Sequence, residues 1–464
     1  MSQPWVRLDN ASNIFLAARS DVDPKVFRLG AELDHTVDPV LLQQALDTTF
    51  DRYPLYHAVL RSGIFWYYLQ SSDLRPVVTV EDQPTCAPIY QADRRTLLFR
   101  VTHHRRRINL EVFHALSDGA GALGFLTDLL TTYTRLHLAH PEPAEPPVSP
   151  ESPPAARTLS ADSFTHYFRR RRRPATAEDD SFGQAAAPAT EGLADVPPEP
   201  RTRWKVGRLI RPTGAVHRVK GTRTPDNRTR AVELTMPAKD MLDLARAEGV
   251  SPTIYLTALF FEAVRRSSPD LGRARTMAAS VPVNLRQFFP STSARNFFAT
   301  VRISHTYGEG ADDLGTVCRR LEKQFAPKAT PAALEKKLRR LIRFERSPAL
   351  RIVPRPIKDF LLGLLNRANN RNLTVAVSNL GRVALPEPAA EHVRKVLFHV
   401  SAARPQFCAI SHAGRLAITF TSPFCETDHV REFARMLTSH GISVTVAAAR
   451  VTEEELAPEV EVAS

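Results

Sequence analysis

One histidine of this 464-residue chain stands where it could move a proton. His114 lies in "EVFHALSDGAGALGFL", Glu111 to Leu126, and Asp118-Gly119 follows it after three residues. A neutral imidazole, with an unperturbed pKa of ~6.5, accepts a proton near neutral pH and can serve as a general base. Such a base works best when a rigid scaffold aims its ring. Ahead of it, Ile108, Leu110 and Val112 alternate with Asn109 and Glu111, which predicts a strand delivering His114 to its C-terminal end. Behind it, Leu123, Leu126, Leu130 and Tyr133 recur at helical spacing, with Leu129 filling the stripe. Asp118 occupies the N-cap position of that helix, and Gly119, Ala120, Gly121 and Ala122 let the backbone turn tightly. Spacing alone serves two readings, and the plainer one first: a bystander histidine beside an ordinary aspartate cap, or a catalytic elbow.

The elements around the elbow alternate between strand and helix. "VFRLGAELD" (Val26–Asp34) has a period of two, and "DPVLLQQALDTTFDRYP" opens with Asp38 as cap and Pro39 at the first helical position. "HAVLRSGIFWYYLQ" and the pair "TLLFRV"/"INLEVF" predict hairpins, with His103, His104 and Arg105–Arg107 as a solvated turn. Twelve of the 36 prolines then fall between Pro141 and Pro200, a density that predicts a linker and cannot build a core. It carries five consecutive arginines, Arg169–Arg173, read as a solvated charge run. Regular structure resumes with the strand "AVELT", the helix "AKDMLDLARAEG" and a capped helix beginning at Ser251-Pro252. "TMAASVPVNLR", "TVAVSNLGRVALP", "FCAISHAGRLAITFTSP" and the helix "DHVREFARMLTSHG" complete a second sheet-and-helix unit.

Composition narrows the function classes. At 43% hydrophobic and 24% charged the chain reads as globular, and no run approaches the ~18 apolar residues of a membrane span. The first twenty residues lack a signal core, and Cys86, Cys318, Cys408 and Cys425 lack metal-ligand spacing, so a reduced, cytoplasmic protein is expected. The net charge of +13 permits an anionic partner. No groove-reading or stacking motif makes that partner nucleic acid. No Gly-rich phosphate loop, zinc motif or G-x-S-x-G elbow appears, Ser117 has no hydrolase context, and His305, His399 and His412 have no motif support.

The elbow resembles the H-H-x-x-x-D-G signature of the acyltransferase superfamily with the chloramphenicol acetyltransferase-like fold. That superfamily includes condensation domains, wax ester synthases and alcohol acetyltransferases. Further stretches resemble the bacterial proteins similar to alcohol acetyltransferases: "RLDNASNIF", "SVPVNLRQFFPSTSARNFF" (Ser280–Phe298), "LRIVPRPIKDF" (Leu350–Phe360) and "SNLGRVALPE" (Ser378–Glu387). "DSFTHYF" and "GAVHRVKGT" in the connector have counterparts as well.

The resemblance implies an α/β (α+β) fold of two subdomains, each a mixed sheet with flanking helices, and an active-site channel between them. The boundaries would be 1–139, a crossover linker at 140–230, a second subdomain at 231–452 and an acidic tail at 453–464. His114 would be the general base, with Phe113 replacing the first histidine of the signature. Asp118 and Gly119 would form the structural turn, and Asp118 would pair with Arg286 of "VPVNLR". Asn284 would either position substrate or backbone, or satisfy its own turn. Ser378 or Asn379 would donate to a developing oxyanion and Gly381 would allow close backbone approach, or all three would only end a strand. The D-F-G-W-G motif of plant relatives is absent. The implied reaction moves an acyl group from acyl-CoA, as co-substrate, to a small-molecule alcohol, with no permanently bound cofactor and no metal. The alternatives are amide formation from an acyl carrier protein and a catalytically silent binding protein. A monomer without a membrane span is expected.

Overall fold

Strands from both ends of the chain share one sheet in this computed structural model. It describes residues 5–139, 216–345 and 353–448, apart from 9, 93, 225–226, 269–270 and 273–274. The proline-rich stretch, the Arg169–Arg173 run and the acidic tail lie outside the described residues. The strands are β1 Trp5–Arg7, β2 Val26–Leu33, β3 Ala58–Ser62, β4 Tyr67–Ser71, β5 Thr79–Val80, β6 Phe99–His104 and β7 Arg107–Phe113 in the first half. The second half holds β8 Arg230–Pro237, β9 Thr276–Asn284, β10 Phe298–Thr306, β11 Val375–Arg382, β12 Val393–Val400, β13 Gln406–His412, β14 Arg415–Ser422 and β15 Thr445–Ala448. The helices are α1 Asn10–Ala17, α2 Pro39–Asp51, α3 Gly119–Ala139, α4 Ala238–Ala247, α5 Pro252–Ser267, α6 Leu314–Phe325, α7 Pro331–Glu345, α8 Arg355–Arg371, α9 Ala389–His392 and α10 Asp428–Ser439.

Local signals account for many of these elements. Asp38 caps α2 by accepting from the backbone N–H of Val40 and Leu41, with Pro39 at the first position. Gly249 adopts φ +66° just past α4, the left-handed turn that glycine takes without strain. Ser251 does sit at the cap position of α5, but its hydroxyl donates to Glu322 at 3.1 Å instead of accepting from the helix. A partner on α6 competes for the oxygen, and Pro252 leaves one fewer N–H to satisfy.

The N-terminal sheet has the order β12-β2-β7-β6-β5, the C-terminal sheet β10-β9-β11-β13-β14-β8-β15, and a small third sheet β1-β4-β3. β12 leaves the second half and pairs antiparallel with β2, Val400 facing Phe27 and Leu397 facing Gly30. It covers an edge that β2 would otherwise leave open to other chains. Residues from the far side of the connector also dock on the second unit: His217 N–H donates to the Thr276 carbonyl at 2.8 Å, and Thr224 N–H to that of Pro423 at 3.2 Å.

β7 is buried on both faces, so its alternation does not mark a wet side. Glu111 is fully enclosed and is compensated by Arg28 Nε at 2.8 Å, Arg100 Nε at 2.6 Å and the Cys86 N–H at 2.7 Å. A buried carboxylate needs partners of this kind. A second ionic cluster joins the units, where Arg107 donates through both terminal nitrogens to Glu233 at 2.7 Å and His399 Nε2 approaches it at 3.2 Å. Burial alone would raise the Glu233 carboxyl; the hydrogen bonds from His399 and Arg107 hold it well below its usual range. Each unit has its own apolar core. The architecture is α/β, built as two sheet-and-helix subdomains.

Candidate active site

β7 ends at Phe113, and His114 is the next residue, its N–H donating to the Lys25 carbonyl at 2.8 Å. Phe15 of α1 stacks on the imidazole at 3.9 Å between centroids and 19° between planes. Phe27 meets it edge-on at 5.0 Å, and Phe298 stands at 6.0 Å. His114 as a residue is half-buried, but its Nδ1 is enclosed and has no partner on any other residue. Burial in this aromatic setting pushes the imidazole down to about 4, and Lys25 adds to the effect. The Asp118 charge, the backbone of His114 itself and the Asn296 side chain act the other way without reversing it. The ring is therefore neutral at pH 7 with a wide margin, below the ordinary histidine value expected from sequence.

Asp118 caps α3, Oδ1 accepting from the Gly121 N–H at 2.8 Å. Oδ2 accepts from the Phe297 N–H at 2.7 Å, and Arg286 Nη1 donates to both oxygens at 2.8 and 3.1 Å. Asp118 is nearly buried, so these donors satisfy a charge that would otherwise be costly. Arg286 also donates through Nη2 to the carbonyls of Ser293 at 2.9 Å and Arg295 at 2.6 Å, folding the 286–297 loop around itself. Asn284 makes the turn contact of its two readings: its Oδ1 accepts from the Arg286 N–H at 3.0 Å and caps a single 3-10 turn.

The elbow is packed closely at two of its glycines, and at Gly121 it leaves no room for a side chain. A Cβ on Gly119 would stand 3.0 Å from Leu380 Cδ2, and one on Gly121 would stand 2.2 Å from the Ala294 carbonyl oxygen. Gly381, in contrast, has open space around it and is used for its φ of +75°. The tight protein packing is therefore at Gly121, while the backbone at Gly381 stands open. Asn379 is also engaged: Nδ2 donates to Thr253 at 2.9 Å, and Oδ1 accepts from the Gly381 N–H at 2.8 Å. Those bonds tie its amide to α5 and to the turn after β11. Ser378 stays half-buried on β11 opposite Cys408 of β13. Ser117 is fully enclosed and donates to the Ala294 carbonyl, which makes its hydroxyl part of the packing.

Two site residues had no sequence signal of their own. Asn296 donates through Nδ2 to the His114 carbonyl at 2.7 Å and to Ser12 at 2.9 Å, while its Oδ1 is buried and unpartnered. Phe15 supplies the stacked face. Both lie inside the quoted stretches, but a single asparagine or phenylalanine carries no spacing that would single it out. Of the other histidines, His305 pairs with Asp312 at 2.9 Å, and His412 hydrogen-bonds to the Val383 and Val393 carbonyls. Among the described residues, Asp34, His35 and His392 bring potential metal-ligand atoms within 4.8 Å of one another. The Asp34 carboxylate already pairs there with His35 Nδ1 at 2.6 Å and His392 Nδ1 at 3.1 Å. A cavity of about 540 Å³ lies among residues such as His217, Arg218, Lys220, Glu426 and His429, and no elbow residue lines it. No helix among the described residues is long and apolar enough to cross a membrane.

No family model and no curated protein matches the chain. Solved structures do. TRI101 of F. graminearum, complexed with coenzyme A and T-2 mycotoxin, aligns over 94% of this chain and 97% of its own, with a TM-score of 0.57 at 12% identity. TRI3 trichothecene 15-O-acetyltransferase of Fusarium sporotrichioides aligns over 95% and 94%, with a TM-score of 0.56 at 10% identity. Polyketide synthase associated protein 5 of Mycobacterium tuberculosis aligns over 94% and 97%, with a TM-score of 0.55 at 14% identity. The two-subdomain α/β fold built around this elbow is therefore the fold of those coenzyme A-binding, acetyltransferase and synthase-associated structures.

Proposed function

We propose that the protein is an acyltransferase carrying an acyl group from a coenzyme A thioester to an alcohol, with His114 as general base. The observation that carries this reading is the imidazole itself: held by its backbone at a strand end, stacked on Phe15, and kept neutral by burial. A neutral ring can take the proton of an attacking hydroxyl as its oxygen adds to the thioester carbonyl. When the carbon–sulfur bond breaks, the same proton passes to the departing thiolate. An enclosed aromatic setting also keeps water from competing for the thioester. Asp118 and Arg286 hold the elbow and the 286–297 loop in register, and Asn296 ties that loop to the His114 carbonyl. The donor and acceptor classes are supported by the solved structures, one named a 15-O-acetyltransferase and another complexed with coenzyme A and a small-molecule toxin.

The test is product analysis by mass spectrometry after incubation with mixed acyl-CoA thioesters and a panel of alcohols and amines. Transfer to an alcohol is expected. On the acceptor so identified, His114→Ala should fold normally and lose roughly 10²–10⁴-fold in turnover, the usual contribution of one positioned acid–base group. Wild-type turnover in that variant, or thioester binding without any transfer by the native chain, would overturn the proposal.

A further inference from the structure

Helix α8 buries none of the side chains along its seventeen residues. Ile357, Phe360, Leu361, Leu364 and Leu365 are 52, 70, 45, 54 and 42% exposed, and their spacing of i, i+3, i+4, i+7 and i+8 places them on one face. Single exposed apolar residues are ordinary, but a contiguous stripe marks a contact surface. The β3–β4 hairpin tip enlarges it, with Ile64 75% and Phe65 41% exposed. The tip is bonded to the start of α8: the Arg355 N–H donates to the Ile64 carbonyl at 2.9 Å and Lys358 Nζ to that of Phe65 at 3.2 Å. Trp66 lies between the Arg7 guanidinium at 3.2 Å and the Lys358 ammonium at 3.6 Å.

The charge beside this stripe is predominantly positive. α8 carries Arg355, Lys358, Arg367 and Arg371 against a single acid, Asp359, which is bound by the Tyr67 hydroxyl at 2.9 Å. Arg367 and Arg371 are exposed at its C-terminal end. A flat, apolar helix with cationic flanks matches the boundary of an anionic bilayer, where apolar side chains enter the acyl region and arginines meet lipid phosphates. A second copy docking face to face across a two-fold axis would set these cations against their own kind.

We infer that α8 and the β3–β4 tip form a surface that docks the protein on anionic lipid membranes. Its position gives the docking a use. α8 packs on α1, so closely that a Cβ on Gly363 would stand 3.3 Å from the Ala17 carbonyl oxygen. α1 carries Phe15, which stacks on His114. One helix therefore separates the lipid-facing stripe from the imidazole, a short path for an apolar substrate partitioned into the bilayer. That second step rests on the proposed acyltransferase reading, whereas the docking does not.

The experiment is flotation of the full chain with vesicles of phosphatidylcholine alone and of phosphatidylcholine containing about one-third phosphatidylglycerol. Binding is expected to be at least roughly tenfold tighter to the anionic vesicles. Phe360→Glu with Leu364→Glu should abolish it, and Arg367→Gln with Arg371→Gln should weaken it by roughly 10- to 30-fold. All four positions are exposed, and circular dichroism checks the fold. No vesicle binding, or binding that these variants leave unchanged, would overturn the inference. So would binding lost only on deleting Arg169–Arg173, a dimer in sedimentation that the glutamate variant dissolves, or an acyl carrier protein that binds the stripe in place of vesicles. Turnover on a water-soluble acceptor is read in parallel. For the native chain, absent turnover with intact flotation defeats the acyltransferase reading alone, and absent flotation with intact turnover defeats the docking alone, whereas the glutamate variant should lose flotation and keep turnover.

Discussion

Breaking the Asp118–Arg286 pair should cost more than a surface ion pair, and its two halves should not add. Asp118→Ala strips acceptors from the Gly121 and Phe297 N–H groups and leaves the Arg286 guanidinium, itself only 15% exposed, with the Ser293 and Arg295 carbonyls but no counter-charge. Removing one member of a buried pair costs about 3–5 kcal/mol, of which the lost helix cap accounts for about 1 kcal/mol. Arg286→Ala leaves the carboxylate with its two backbone donors but frees the Ser293 and Arg295 carbonyls, a loss of about 3 kcal/mol. In the double variant no uncompensated charge remains, so its cost should be about 4–5 kcal/mol, a coupling of about 2–3 kcal/mol. Urea unfolding of the four proteins measures this, provided that fluorescence and circular dichroism midpoints coincide. Additivity to within about 0.5 kcal/mol would refute the argument, because it would mean the two groups do not compensate each other in solution.

The pH dependence follows from burial of His114. With its folded pKa depressed to about 4, the base is already neutral above pH 5, so kcat/KM should be flat through neutrality and fall only on the acid side of about 5. A rate that rises through pH 6.5 would show an imidazole in ordinary solvent. Gly121→Ala would drive a methyl against the Ala294 carbonyl and the Ser117 hydroxyl, and should lower stability by about 1–3 kcal/mol in thermal or urea unfolding. Ser117→Ala removes the donor to that carbonyl and should cost about 1 kcal/mol while leaving turnover within about twofold of wild type. A large kinetic loss there would give Ser117 a part in the chemistry.

Much of this protein is written in stretches of ten residues or so. The capped start of α2 at Asp38-Pro39, the two N-terminal hairpins and the strand-to-helix elbow at His114 depend on periodicity, turn residues and capping, all of which are local. Asp118 as a cap was legible for the same reason. Its pairing with Arg286, 168 positions away, was reached through resemblance, since no local rule links an acid to so distant a base.

What the tertiary structure alone decided is set by contacts between distant segments. β12 leaves its own half to pair with β2, a match that its near-continuous buried run does not specify. Asn284 was open between positioning substrate or backbone and satisfying its own turn, and Asn379 between donating to an oxyanion and ending a strand; the contacts both make, with the Arg286 and Gly381 N–H groups and Thr253, come from the tertiary structure. The periodicity of α8 is that of a helix with an apolar side, and it reads the same whether that side is buried or exposed. The basicity of His114 is the clearest case. Its environment is built from Phe15, Phe27, Phe298, Lys25 and Asn296, which come from separate parts of the chain. Desolvation depends on everything that surrounds a group, so the identity of the base was local information and its protonation was not.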